Sequence, residues 1–342
     1  QDAEVIVFDE PTAALTESEI EELFKIIRDL RSRDIGIIYI SHRMDEINVI
    51  TDRVTVMRDG EYVGTIITKD STKEEIISMM VGRTIYEDPK EKSNVPKDAP
   101  VVLKVENLNV GKSVRNVSFE LKKGEIIGFS GLMGSGRTET ARAIFGADKI
   151  DSGTIYVNGK KVEIKCPMDA VNSGIGYLSE DRKRYGIVLD KTVTENSTMS
   201  SLDKFVNGIF INKKKEKDVA KDYAEKLKTK TASVETPVVT LSGGNQQKVV
   251  IAKWLIKDCD ILTVDEPTRG IDVGAKSEIY TLMNELVAQG KSIIMISSEL
   301  TEILRMSDRI IVMNEGRKTG ELPIEEATQE SIMNAATLRN QF

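Results

Sequence analysis

Two cysteines in 342 residues, Cys166 and Cys259, stand far apart and outside any CxxC spacing. Neither a disulfide framework nor a zinc site is indicated, and a reducing cytosol is the expected compartment. Positive charge is also scarce: 48 Lys and Arg against 55 Asp and Glu leave a formal charge of -7. The clustered basic excess that a nucleic-acid partner demands is missing, so nucleic acid is not expected as a partner. No apolar run approaches the roughly 20 residues needed to span a bilayer, and the N-terminus has no signal-peptide pattern. Any service to a membrane must then be done from outside the lipid. Histidine is reduced to His42 alone. The chain lacks an initiating Met and enters the apolar run Val5 to Phe8 almost at once, which reads as a cut edge.

What is present is repetition. VIVFDEPTAAL around Asp9 and Glu10 recurs as ILTVDEPTRGI around Asp265 and Glu266, an offset of 256 residues that then holds without a gap. Ile40-Ser41-His42 matches Ile296-Ser297-Ser298, Asp52-Arg53 matches Asp308-Arg309, and Gly60 and Gly64 match Gly316 and Gly320. Two copies of one domain are expected: residues 1–85 as the C-terminal part of the first and residues 101–342 as the second. Between them, 86–100 holds Pro89, Pro96 and Pro100 among charged and small residues, the composition of an extended, solvated linker.

Within each copy, short apolar runs (Val5 to Phe8, Ile35 to Ile40, Glu125 to Ser130, Ile261 to Val264, Ser292 to Ile296) alternate with helical patterns such as Ser18 to Arg33 and Lys276 to Ala288. That alternation predicts an α/β fold with a mostly parallel sheet. Val101 to Val105, Val117 to Leu121 and 154–164 with its Asn158-Gly159 turn predict an additional antiparallel layer. Asn212 to Lys230 is rich in Lys, yet Glu216, Asp218, Asp222 and Glu225 interrupt the charge, so a solvated helix face is expected there.

Three segments carry chemistry. Gly131-Leu132-Met133-Gly134-Ser135-Gly136-Arg137-Thr138 follows an apolar run and opens a helical pattern, the strand, loop and helix context of a phosphate-binding loop. Its glycines let backbone N–H groups curl round a phosphate, and the helix N-terminus adds positive potential. Thr138 stands where a magnesium-ligating hydroxyl belongs; Arg137 replaces the usual Lys, a bulkier and differently directed cation. Asp265-Glu266 ends a buried run, a costly place for two carboxylates unless they meet a cation or a water. In phosphoryl transfer the Asp orients hydrated magnesium and the Glu polarises the attacking water. Leu241-Ser242-Gly243-Gly244-Asn245-Gln246 at a helix start forms a second anion site, whose plain alternative is a helix cap.

Together LSGGNQQK, GLMGSGRTE and SEDRKRYG resemble the ABC transporter ATPases, and among them the tandem subunits of ribose, galactose and xylose importers. The resemblance covers essentially the whole chain. It implies a P-loop ABC-type ATPase domain with a helical subdomain, using ATP and Mg2+. By that resemblance Gly131, Gly134, Ser135, Gly136, Arg137 and Thr138 hold phosphates, with Thr138 and Asp265 at the metal and Glu266 as the catalytic carboxylate. Ser242, Gly243, Gly244 and Asn245 form the signature, Gly270-Ile271-Asp272 the D-loop, and Glu180 takes the position of the Gln that senses magnesium and the membrane subunit. Ser298 occupies the switch-histidine position, and no aromatic residue between Val101 and Ser118 is there to stack on adenine. In the first copy Asp9 is expected at a metal, with Glu10 and His42 catalytic: an imidazole just past a strand end is suited to bond a γ-phosphate and the attacking water.

The resemblance implies a peripheral ATPase on the cytoplasmic face of the membrane, bound to permease subunits and served indirectly by a sugar-binding protein. It also implies head-to-tail pairing of ABC domains, with each nucleotide between one phosphate loop and the other signature. The segment Glu180 to Asn196, dense in charge, is expected at the permease contact. Two other classes remain open: a soluble ABC-type ATPase acting on nucleic acid or ribosomes, and a nucleotide-binding regulator that does not hydrolyse.

Overall fold

The computed structural model describes residues 3–9, 11–12, 17–41, 44–58, 61–72, 75–76, 79, 89–207, 210–271 and 273–337. The chain divides into two compact units, residues 1–86 with 272–277, and residues 87–271 with 278–342.

In the first unit β1 (Val5–Asp9) and β2 (Gly36–Ile40) pair in parallel, with the helix Glu17–Ser32 between them in sequence. A second pair, β3 (Arg53–Arg58) and β4 (Glu61–Ile67), is antiparallel. The helix Glu17–Ser32 buries Ile20, Phe24 and Ile27, spaced at helical intervals on one face. The other face of the β1–β2 pair is bare: Val5, Val7 and Ile38 are more than half exposed, and Ile40 nearly so.

Among its described residues the second unit has twelve strands: β5 (Val101–Val110), β6 (Val114–Lys122), β7 (Ile126–Gly131), β8 (Ser152–Val157), β9 (Lys160–Val162), β10 (Ile175–Leu178), β11 (Val206–Asn207), β12 (Phe210–Ile211), β13 (Ile261–Asp265), β14 (Ser292–Ile296), β15 (Arg309–Asn314) and β16 (Arg317–Pro323). Six form the central sheet in the order β10-β13-β14-β7-β15-β16, parallel except for the edge strand β16. Every residue of β13 and β14 is buried, which is why both read as mostly apolar runs without polar–apolar alternation. A four-stranded antiparallel sheet, β6-β5-β8-β9, supplies the predicted second layer. Its β8–β9 hairpin turns at Asn158-Gly159, both with positive φ. The Lys-rich segment forms the helix Lys213–Lys226, capped by Asn212 and buried only on the side of Glu216, Ala220 and Ala224. The second unit is α/β, with a mixed central sheet, an antiparallel layer and flanking helices.

The sequence offset of 256 has a structural counterpart. Helix Glu17–Ser32 corresponds to Val273–Ala288, and Met44–Ile50 to Leu300–Met306, with identical ends at that spacing. The register shift between Val56 and Met57 recurs between Val312 and Met313. Even the buried hydrogen bond Thr12 to Glu46 recurs as Thr268 to Glu302.

Residues 89–100 are extended but tied to the second unit rather than freely solvated. The buried Asp308 carboxylate accepts from Lys90 Nζ at 2.7 Å, Ser93 Oγ at 2.9 Å and the first amide of β7, Ile126, at 2.9 Å.

Candidate functional site

The ends of β7, β13 and β14 lie side by side at the C-terminal edge of the central sheet, where ligands of open parallel sheets bind. Beyond β7 the chain makes a tight loop into the helix Arg137–Ile144. Gly131 has φ +147, and a Cβ there would lie 2.2 Å from the Met313 carbonyl; Gly136 has φ +98, with Ser113 O at 2.4 Å. Only glycine fits either place. Ser135 Oγ is buried and, among the described residues, has no hydrogen-bond partner. Gly136 caps the helix without a side-chain bond, and the first-turn amides have no intrahelical acceptors. An orphaned hydroxyl and free amides around a glycine-built loop fit a phosphate group.

Asp265 closes β13, fully buried. Its Oδ1 accepts from Thr138 Oγ1 at 3.3 Å and its Oδ2 from Tyr177 Oη at 2.9 Å. Burial raises its pKa above the usual carboxylate range. Thr138 and Asp265 are the oxygen donors that a magnesium ion would need from the protein, the remainder coming from phosphate and water. Among the described residues no cluster of three or more His, Cys, Asp or Glu would hold a metal alone. These residues therefore fit a metal that arrives with a phosphate.

Glu266 follows in a left-handed conformation, φ +48, uncommon for a side chain with a Cβ and held by Glu266 N to Ile296 O at 2.8 Å. Burial pushes its pKa up to about 7, against the lowering effects of the Ser298 hydroxyl and Arg137. Ser298 Oγ donates to Glu266 Oε2 at 3.1 Å. Arg137 donates through Nη1 to the Ser297 carbonyl at 2.7 Å, so its fork is spent partly on backbone. The structure thus brings together Gly131, Gly134, Ser135, Gly136, Arg137, Thr138, Asp265 and Glu266.

The signature residues form a separate feature at the start of the helix Gly243–Lys257. Ser242 is exposed and accepts from Asn245 Nδ2 at 2.9 Å, which leaves its own proton to donate. A Cβ at Gly243 would meet Arg182 Nη2 at 2.6 Å and the Gly270 carbonyl at 3.0 Å, so a side chain there would displace the Arg182 guanidinium. Gly244 is buried in the first turn. In the first unit Asp9 ends β1 and is exposed; Glu10 and His42, and also Asp272, lie outside the described residues.

A family model described as ABC transporter matches residues 114–269. The chain is 53% identical over 337 residues to the Ribose import ATP-binding protein RbsA of Clostridium perfringens, covering 98% of this chain and 67% of that protein. The chain belongs to the ABC transporter ATP-binding family. It is 56% identical over 339 residues to a Putative ribose/galactose/methyl galactoside import ATP-binding protein 2 of Burkholderia cenocepacia, covering 99% of this chain and 66% of that one. The chain therefore spans about two thirds of the length of the curated relatives it matches. Among solved structures, a nucleotide-free ATP-binding cassette from an ABC transporter matches with a TM-score of 0.59 at 25% identity, over 69% of this chain and 94% of that one. The ADP conformation of MJ1267, an ATP-binding cassette of an ABC transporter, matches with a TM-score of 0.57 at 25% identity, over 69% of this chain and 95% of that one.

Two residues of this ABC cassette went unmarked as site residues in the sequence. Tyr177 reaches Asp265 from β10, which pairs with β13 only after a crossover of more than 80 residues. Arg182, within the charged segment expected at a permease, is half-buried and bonds Gln246 Oε1 at 3.4 Å and the Arg269 carbonyl at 3.1 Å. Glu180 does not join the phosphate-loop group, because its carboxylate pairs with Arg269. Glu180, Asp181, Arg182, Lys183 and Arg269 line a cleft of about 330 Å³. The DEPT repeat could not point to Tyr177; only the adjacency of β10 and β13 does.

Proposed function

We propose that the chain is the end of a first and the whole of a second ATP-binding cassette (residues 1–85 and 101–342, joined by 86–100) of an importer ATPase that drives uptake of a pentose or hexose. The reading is supported by the import ATP-binding names of its relatives, the element-by-element recurrence at 256 residues, and the bare β1–β2 face. Among the described residues no helix is long and apolar enough to cross a membrane. By analogy with those import ATP-binding relatives, the subunit would be peripheral, on the cytoplasmic side of permease subunits that receive sugar from a binding protein.

The observation that carries the chemistry is the convergence of Thr138, Asp265 and Glu266 below the glycine loop. ATP phosphates would lie against the Gly134 to Thr138 amides and Ser135 Oγ, with Mg2+ held through Thr138 and Asp265. When bound, the ion would neutralise developing phosphate charge. Glu266 would accept the proton of the attacking water, which its pKa near 7 permits only when it is ionised.

This second site is degenerate. Arg137 is drawn onto Ser297, and Ser298 supplies a short hydroxyl that cannot take a proton near neutral pH, where the other copy of the repeat has an imidazole that can. Ser242, Gly243, Gly244 and Asn245 would close the site of a facing cassette, one that carries Asp9, Glu10 and His42 or their equivalents. In the full-length protein, Glu10→Gln, His42→Ala and Ser242→Arg should abolish transport and Glu266→Gln should be milder. Equal losses from Glu10→Gln and Glu266→Gln would mean two equivalent sites. If the chain binds ATP and the intact subunit shows no turnover at all, a non-hydrolysing regulator replaces the ATPase.

A further inference from the structure

Asp265 ends a fully buried strand at this site, and both of its carboxylate oxygens are engaged from opposite sides. Thr138 takes Oδ1 and Tyr177 takes Oδ2. If Asp265 is to receive a metal ion through the oxygen nearest Thr138, something must hold the carboxylate plane in that attitude before the ion comes. A hydroxyl bond to the opposite oxygen does this at no cost to the metal-facing lone pairs.

Tyr177 is itself fixed by aromatic packing. Its ring lies 5.4 Å from Phe145, at the C-terminal end of the phosphate-loop helix, and Phe145 meets Trp254 edge-on at 5.8 Å. Trp254 Nε1 donates to the Tyr177 carbonyl at 3.0 Å. Gly176 makes the approach possible, since a Cβ there would lie 2.9 Å from Trp254 Cγ. Trp254 belongs to the helix Gly243–Lys257, whose N-cap is Ser242. A continuous set of contacts thus runs from the signature helix through Trp254, Phe145 and Tyr177 to Asp265.

We propose that Tyr177 is a positioning residue for the metal-bearing carboxylate: its hydroxyl orients Asp265 toward Thr138, and its ring ties that orientation to the signature helix through Phe145 and Trp254. The inference rests on the nucleotide reading given above. It concerns metal affinity and its coupling, not contact with the reacting atoms.

The test uses the intact chain with ATP, with and without magnesium, read by calorimetry and by the emission of Trp254, the sole tryptophan. Tyr177→Phe keeps the ring and removes one oxygen. The factor by which magnesium tightens ATP binding should fall about tenfold, as expected for a lost hydrogen bond to a charged group. Affinity for metal-free ATP should stay within twofold. In an Asp265→Asn background the same substitution should add nothing, because Tyr177 acts through that carboxylate. The magnesium-dependent change in Trp254 emission should shrink in Tyr177→Phe. An undiminished magnesium factor, additive losses when Tyr177→Phe is combined with Asp265→Asn, or a Tyr177→Phe chain that no longer folds would each overturn the proposal. A wild-type chain that fails to bind ATP would overturn the nucleotide reading first and this inference with it.

Discussion

The Ser298 hydroxyl donates to a Glu266 carboxylate oxygen at 3.1 Å, from the position where the first copy of the repeat has His42. This bond favours the ionised carboxylate and opposes the desolvation that raises its pKa to about 7. Removing it should move the pKa further up. In Ser298→Ala, whatever ATP turnover remains should show its acid limb displaced to higher pH, above a wild-type midpoint near 7. Glu266→Gln should abolish that limb. An acid limb at the same pH in wild type and Ser298→Ala would show that Glu266 is not the titrating group.

Arg137 sends its guanidinium to the Ser297 carbonyl at 2.7 Å while Asp265 and Glu266 lie near enough to favour its charge. A lysine is a compact point donor and cannot reproduce the same fork. Arg137→Lys should therefore lower stability by about 1 kcal/mol, the usual net worth of such a hydrogen bond, yet tighten ATP binding by freeing a cation for the phosphates. Denaturant melts paired with ATP titrations check both halves. Weaker ATP binding in the lysine variant would show that the arginine itself grips the phosphates.

The phosphate loop, the DEPT strand and the signature were legible in the sequence because each is a contiguous run whose local context, strand then glycine turn then helix, can be read residue by residue. So was the α/β alternation, since fully buried strands such as Ile261–Asp265 have a continuous apolar signature. What could not be read was lateral. Tyr177 and Asp265 are 88 residues apart and meet because β10 pairs with β13. Arg182 reads as one charge in a segment expected at the permease contact, and only the fold shows that it lies against Gln246 and Arg269. The stretch 89–100 has the composition of a free linker, yet Asp308, more than 200 residues on, holds it.

Two loop glycines separate packing from binding. At Gly136 a Cβ would meet Ser113 O at 2.4 Å, whereas at Gly134 (φ +76) nothing lies within 4 Å. Gly134→Ala should cost only the left-handed backbone penalty, about 1–2 kcal/mol, and still weaken ATP binding by intruding on the phosphate space. Gly136→Ala should lose stability well beyond that, because the obstacle is backbone. Thermal melts with and without ATP distinguish them. Equal destabilisation by the two substitutions would mean that the loop is not built as described.

Lys253 is buried at 5% exposure on the signature helix, donates to the Gly186 carbonyl at 2.7 Å and stands 4.7 Å from the Trp254 ring centre. Burial pushes its pKa down to about 8 from an ordinary 10.5. The sign follows from proton counting: between pH 8 and 10.5 the unfolded chain holds a proton at this lysine that the folded chain has released. Stability contributed by the site therefore rises as pH rises through that window, by about 3 kcal/mol at 1.36 kcal/mol per pKa unit. Lys253→Met fills the same space without a titrating group. It should be close to wild type in stability near pH 7, where the loss of the bond to Gly186 offsets relief from a buried charge, and should fall progressively behind as pH climbs from 8 to 10.5. Urea melts of both chains at several pH values give the difference directly, with the other titrating groups cancelling. A wild-type minus variant difference that stays flat across this window would show that Lys253 keeps its charge in the folded chain.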